Sequence, residues 1–297
     1  MSTTISIQQL LKVGSHYGHV TPKWHPKMKE FIHSSQSGIY ILDLRKSLEK
    51  LKEAYEYATK IGSQGGKVLF IGTKPQAKEH IKNAAEATNG FYVNHRWLGG
   101  TLTNFATIRQ SVSNMDHLQH LAGKDQTYEG YLKKEAVRME KERVKLDTLL
   151  GGLKKMKKLP TCLFVVDTYR EHISIKEAIK IGIPVVAICD TNSNVTRVNV
   201  PIPGNDDSAQ SIELYMKVFV GGLLKGRDIL EKKRAAPDPE KTPQSDDAAV
   251  VSKESETVAT ASSSEIQPES ADNNVASEET VTVNASPESS STEETTA

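Results

Sequence analysis

Short, unbroken apolar runs alternate with amphipathic stretches along most of the chain. Val68–Ile71 and residues 163–166 contain no polar side chain, as expected for strands that are buried on both faces of a parallel sheet. Apolar residues recur at helical spacing between such runs, for example in residues 45–61 and 171–181. This alternation predicts an α/β fold with a layered, mostly parallel sheet and right-handed crossovers. Further predicted strands are 31–32, Ile39–Leu42, Phe91–Val93 and 185–188, and a last short strand just before residue 201.

Two long helical stretches interrupt the alternation after Phe91–Val93. In residues 104–122 and 133–150 the apolar positions are three or four apart, while the other faces are charged. This spacing predicts an inserted antiparallel coiled-coil hairpin. The predicted seam is Phe105, Ile108, Val112, Met115, Gln119 and Ala122 on the first helix, and Leu132, Ala136, Met139, Arg143, Leu146 and Leu150 on the second. The predicted domains are an α/β domain of residues 1–103 and 151–234, the hairpin of 104–150, and a tail of 235–297.

The tail differs from the rest of the chain in composition. Ser, Thr, Glu, Ala and Pro dominate it, and it has no aromatic residue. Such a segment cannot bury enough apolar surface to offset its ordering entropy, so we predict a disordered acidic tail. It holds 14 acidic and 2 basic residues, which leaves 36 basic and 23 acidic residues in 1–234, a net charge of +13. A basic body indicates a polyanionic partner.

The two cysteines and the N-terminus indicate where the protein resides. Cys162 and Cys189 both fall in apolar, strand-like runs, which is typical of buried thiols in a reducing compartment. The N-terminus lacks the pattern of a signal peptide, and no apolar run approaches the roughly 18 residues of a membrane span. We therefore expect a soluble, cytoplasmic protein without a membrane partner.

Two irregular segments combine cations with aromatic rings. Residues 14–29 hold three histidines, three lysines, a tyrosine and a tryptophan, and their prolines and glycines exclude a continuous helix. The loop that follows Phe91–Val93 carries a histidine, an arginine and a tryptophan, which suit phosphate pairing and stacking. An alternative is that Trp97 only plugs the edge of the sheet and that Arg96 is solvated. The lysine run 154–158 is either a solvated face or a third phosphate contact.

The sequence offers little support for catalysis. No glycine-rich phosphate loop follows a strand, and Gly66-Lys67 lacks the other residues of a P-loop. Asp167, Asp190 and Asp206-Asp207 could together form an acidic magnesium site, but strand-end and cap aspartates are also common in structural roles. The spacing of His16 and His19 admits a metal, yet no second ligand pair at zinc-site spacing accompanies it. We predict no enzyme, no cofactor and no metal; a protein-docking scaffold built on the hairpin remains a further alternative.

Several of these segments, taken in order, resemble the bacterial type of small-subunit ribosomal protein two. The resemblance covers about residues 5–230. It rests on residues 14–29, 69–74, 91–104, 151–153, 163–167, 182–192 and 202–207. Two segments depart from the family pattern: 194–200 lacks the acidic, proline-bearing sequence usual there, and the lysine run 154–158 replaces a glycine-containing turn.

The resemblance implies a flavodoxin-like α/β domain with an inserted coiled-coil hairpin and no catalytic activity. It also implies a structural component of the small ribosomal subunit that binds small-subunit rRNA between head and body. Other small-subunit proteins would be neighbours, and relatives help to dock ribosomal protein one near the mRNA exit. The residues expected to face RNA are His16, His19, Lys23, Trp24, His25, Lys27, Lys74, His95, Arg96, Trp97, Asn104, Arg109, Lys154, Lys155 and Lys157.

Overall fold

The computed structural model of the chain describes residues 5–123, 128 and 130–235. The strands are β1 (Tyr17–Val20), β2 (Ile32–Gln36), β3 (Ile39–Leu42), β4 (Val68–Ile71), β5 (Phe91–Val93), β6 (Cys162–Val166), β7 (Val185–Cys189) and β8 (Val200–Pro203). The helices are α1 (Ile7–Lys12), α2 (Leu44–Ser63), α3 (Lys78–Ala87), α4 (Phe105–Ala122), α5 (Lys133–Leu150), α6 (His172–Ile181) and α7 (Ala209–Ala235). Apart from Ala235, which ends α7, the predicted acidic tail lies outside the described residues.

The central sheet has five parallel strands in the order β5-β4-β6-β7-β8. Numbered along the chain, this order is 2-1-3-4-5, the flavodoxin-like arrangement. The connection from β5 to β6 contains α4 and α5. The helical insertion therefore follows the second strand of this sheet in chain order and precedes the third. The prediction of an α/β fold around a mostly parallel sheet is confirmed.

Alternate residues of each strand support two separate cores. Val68, Phe70 and Phe164 face α2, α3 and α7, where Phe164 and Phe219 place their ring centroids 4.6 Å apart. Leu69 and the other alternate residues face α4, α5 and α6. Every residue of β4, β6 and β7 is buried, which explains why these strands are continuous apolar runs. Both cysteines are free and buried in these strands, as predicted.

A second, antiparallel sheet of order β1-β3-β2 is formed by residues that come before the central sheet in the sequence. The hairpin of β2 and β3 agrees with the prediction, but the interpretation of residues 14–29 as wholly irregular is wrong, because β1 lies within them. This strand is an edge strand whose burial pattern does not alternate clearly between core and solvent. Backbone hydrogen bonds to β3 hold this strand in place. Its side chains therefore show little of the apolar pattern by which a strand is predicted.

Helices α4 and α5 pack against each other. Ile108, Val112 and Met115 are buried as the heptad spacing predicts, but Leu118 is buried in place of Gln119, which is exposed. In α5 the seam is shallower, because most of its predicted members are only half-buried and Leu132 is 72% exposed.

Helices α2 and α7 approach each other closely through glycine. A Cβ on Gly226 would collide with the carbonyl of Thr59, and a Cβ on Gly62 would collide with the carbonyl of Leu223. These two helices cover one face of the sheet. Within the ranges that the structure describes, no helix is both long enough and apolar enough to cross a membrane.

Candidate nucleic-acid interface

The N-terminal basic loop, residues 14–29, is anchored on the turn that follows β7. The backbone N–H of His25 donates to the carbonyl of Thr191 (2.8 Å), and that of His19 donates to the Thr191 hydroxyl (2.9 Å). Gly18 lies against the same threonine, where a Cβ would come within 2.5 Å of its methyl group. The backbone is therefore fixed while the side chains of Lys23 and Lys27 stay exposed.

The aromatic residues of this loop are partly covered. Trp24 is half-buried, and its ring lies 5.5 Å from that of Tyr40. His16 is half-buried beside Tyr17, with ring centroids 4.0 Å apart, and burial lowers the pKa of His16 below its ordinary value. Trp24 therefore stays partly accessible to solvent.

His19 belongs to an internal ion cluster. Its Nδ1 lies 3.0 Å from Asp190 Oδ2, and its Nε2 lies 3.6 Å from Asp207 Oδ2. The hydrogen bond to Asp190 raises the pKa of His19 despite partial burial. Among the residues that the structure describes, the group that could ligate a metal is His19, Asp206 and Asp207, and His16 is not part of it.

Lys74 lies at the centre of the same cluster. Its Nζ is 2.8 Å from Asp206 Oδ1, 2.8 Å from Asp207 Oδ1 and 3.0 Å from Asp167 Oδ2. Burial alone would lower the pKa of Lys74, but these carboxylates outweigh it and raise the pKa. The ammonium group supplies the positive charge that a metal ion would otherwise bring to the aspartates. The structure argues against the expectation that Lys74 faces RNA, because the residue is buried and its ammonium group is engaged by three carboxylates.

Asp206 is the most deeply buried acid of the cluster. Burial, followed by the charges of Asp190 and Asp167, raises its pKa, while Lys74 acts in the opposite direction. Its Oδ2 has no hydrogen-bond partner among the described residues. The acidic site suggested by the sequence does assemble, but around a lysine.

Trp97 is also buried rather than available for RNA. The ring is 7% exposed, and its Nε1 donates to Glu177 Oε1 at 3.0 Å. This burial argues against the expectation that Trp97 stacks on RNA and favours the alternative that it plugs the edge of the sheet. His95 and Arg96, the two residues before it, are exposed.

Glu177 of α6 shapes this whole loop, a role that no sequence pattern indicates. Burial would raise its pKa, but the hydrogen bonds that it accepts outweigh burial and lower the pKa. A single glutamate on an amphipathic helix is usually solvated, so only its partners reveal this role. Besides Trp97, the donors are the backbone N–H groups of Gly100 (2.8 Å), Leu102 (3.0 Å) and Thr103 (3.1 Å) and the Thr103 hydroxyl (3.2 Å).

The start of α4 holds two further candidates. Asn104 is exposed at the N-cap, and its side-chain oxygen accepts from the Thr107 hydroxyl at 2.9 Å. Arg109 is half-buried and donates to the carbonyl of Met156 at 3.2 Å. Arg109 thus ties α4 to the lysine run.

The lysine run lies near the amino ends of the strands. Lys154 forms an ion pair with Asp116 at 2.7 Å. Lys155 and Lys157 are exposed and line a cavity of about 340 Å³ together with Lys67, whose Nζ is 5.3 Å from the Phe91 ring centroid. The N-terminal loop lies at the carboxyl ends instead, so the structure does not gather all predicted residues into one surface.

Comparison with known proteins covers most of the chain, including these segments. Residues 10–226 match the family described as ribosomal protein S2. The chain is 42% identical over 261 residues to the small ribosomal subunit protein uS2 of Corynebacterium diphtheriae, covering 88% of this chain and 98% of the relative. It is 47% identical over 222 residues to that of Salinispora tropica, covering 75% of each.

These relatives are named as ribosomal proteins and not as enzymes. The match extends over most of this chain and over most of theirs. The chain therefore belongs to the ribosomal protein S2 family, as a protein of the small ribosomal subunit.

Proposed function

We propose that this protein binds small-subunit rRNA between the head and body of the subunit and supports translation from that position. The observation that carries the proposal is the distribution of charge. Lys23, Lys27 and Arg96 are exposed, and none lies within 4.0 Å of a carboxylate in the described part of the chain. Three acids close to this loop, Asp167, Asp190 and Asp206, are buried and face Lys74 or His19.

Exposed, unpaired cations on a fixed backbone suit a phosphate backbone. They displace condensed counterions from RNA, which gives an affinity that falls with salt. The remaining candidates divide between the two ends of the strands, so the RNA would contact the protein at two places. The proposed contact residues are His16, Lys23, Trp24, His25, Lys27, His95, Arg96, Asn104, Arg109, Lys154, Lys155 and Lys157.

The test measures binding of the full chain to a small-subunit rRNA transcript between 50 and 200 mM salt. The double variant Lys23→Ala/Lys27→Ala removes two phosphate contacts. The negative slope of log K against log salt should therefore become shallower by about 1.4 to 1.8. Lys52→Ala/Lys60→Ala is the matched control, because both lysines are exposed on α2 and the charge lost is equal. Equal weakening in the two variants would reduce the effect to net charge and contradict a defined interface.

We also propose that the protein docks ribosomal protein one near the mRNA exit. The support is membership of the family, together with a helical insertion that leaves part of α5 exposed. Small subunits assembled with a chain lacking residues 110–147 should retain less ribosomal protein one. Full retention would show that the helical insertion is not the docking element.

A further inference from the structure

A cationic cavity lies beside the N-terminal loop, and of its lining residues the sequence analysis singled out only His25. It has a volume of about 520 Å³, within the range of ligand sites. His25 contributes one wall, the turn after β6 contributes Tyr169 and Arg170, and Lys176 and Arg197 complete it. The cavity is therefore continuous with the proposed RNA surface.

No ion pair among the described residues neutralises the cations of this cavity. Arg170, Lys176 and Arg197 are exposed, no acidic residue lines the cavity, and none of the three forms an ion pair with another described residue. The adjacent acids point elsewhere. Asp167 accepts from Lys74, and Glu171 is buried and accepts from the Thr73 hydroxyl.

Tyr169 presents an aromatic face at the same place. Its side chain is 71% exposed, a large hydrophobic surface to leave in water. The backbone that carries it is fixed, since Asp167 Oδ1 accepts from the N–H groups of Tyr169 and Arg170 at 3.0 Å each. Asp167 adopts a φ of 70°, which is uncommon for a residue other than glycine. This turn therefore holds the ring at the rim of a cationic cavity.

An exposed ring on a fixed backbone beside unpaired cations is a combination by which proteins hold unpaired bases. We propose that the cavity holds one unpaired nucleotide of the bound RNA, with its base on Tyr169 and its phosphate among Arg170, Lys176 and Arg197. The inference rests on the proposed RNA binding and extends it to a defined nucleotide site.

The experiment uses the full chain, the same rRNA transcript and four variants. Tyr169→Ala should weaken binding about 5- to 150-fold, the range that corresponds to loss of one stacked base, with an unchanged salt slope because no charge is lost. Tyr169→Phe keeps the ring and should bind within about twofold of the parent chain. Arg170→Ala/Arg197→Ala should lower the salt slope by about 1.4 to 1.8. Tyr131→Ala removes another exposed tyrosine, on the connection between α4 and α5, and should leave binding unchanged.

Ultraviolet crosslinking should attach uridine to the peptide that contains Tyr169. Thermal melts establish that each variant is folded, which the exposure of these side chains favours. If the parent chain binds and Lys23→Ala/Lys27→Ala is weakened while the cavity variants bind normally, the nucleotide site is refuted and the proposed function stands. If the parent chain does not bind rRNA, both fail. Binding of free uridine monophosphate or poly-glutamate at the cavity, without any effect of the variants on RNA, would also overturn the proposal.

Discussion

Replacing Glu177 tests how the loop before α4 is held. In Glu177→Ala the loop loses an acceptor shared by five donors. Water can reach Gly100 and Thr103, but the donors of Trp97 and Leu102 are buried. An unsatisfied buried donor costs about 1–3 kcal/mol, so the two buried donors predict a loss of about 2–6 kcal/mol in the free energy of unfolding. For a domain of this size, at about 2–4 °C per kcal/mol, that corresponds to a fall in Tm of about 4–24 °C.

The pH dependence of Tm gives an independent check. Because the folded-state pKa of Glu177 lies below its ordinary value of 4.5, the folded protein binds fewer protons there than the unfolded chain. The stabilisation is present above pH 4.5 and is lost as the pH falls through the lower folded pKa. The difference in Tm between the parent chain and Glu177→Gln should therefore shrink at acidic pH.

The control is Glu86→Ala, because Glu86 is exposed and lies 4.0 Å from Lys82. An exposed pair of this kind contributes little, so its Tm should change by no more than a degree or two. A change equally small in Glu177→Ala would refute the reasoning. If the loop also presents Arg96 to RNA, Glu177→Ala should weaken rRNA binding at a temperature where the variant is still folded.

Two further substitutions test the buried charge cluster and the packing of α2 on α7. Lys74→Ala leaves Asp206 and Asp167 without their cation and should lower the free energy of unfolding by about 3–5 kcal/mol. Because the pKa of Asp206 is raised, the fall in Tm should be smaller at pH 6 than at pH 8. An unchanged Tm at both pH values would contradict the role of Lys74 as the cation of this cluster. Gly226→Ala should lower Tm strongly, since the new methyl group would collide with the α2 backbone. Gly99→Ala is the control, because the space around its Cβ is open and the substitution should be tolerated. Equal Tm values for the two variants would show that α7 can shift.

The central strands could be predicted from sequence because their burial is local in origin. A strand covered on both faces needs an apolar residue at every position, and Val68–Ile71 shows this directly. The edge strand β1 could not be predicted, since backbone pairing with β3 holds it and its side chains need no pattern. Trp97 was misassigned for a different reason. Its burial depends on Glu177, 80 residues away in sequence, and no local pattern connects the two.

Lys74 shows the same limit for charge. A lysine after a strand in a basic protein suggests phosphate contact, but its partners come from the ends of two other strands. Asp167 follows β6, and Asp206 and Asp207 follow β8. Parallel strands bring these ends together, and the sequence shows only that each end carries polar residues.

The position of this cluster bears on how the fold binds its partner. In flavodoxin-like sheets, ligands enter at the carboxyl ends of the strands, where the strand order reverses. Here that point lies between β4 and β6, and the Lys74 ion pairs to Asp167, Asp206 and Asp207 fill it. The same pairs hold the charges of Asp167 and Asp206 inside the protein, whereas Asp207 stays largely exposed. If the exposed cations of the N-terminal loop and of the cavity beside it bind RNA as proposed, the RNA would lie across the outside of this edge rather than within it.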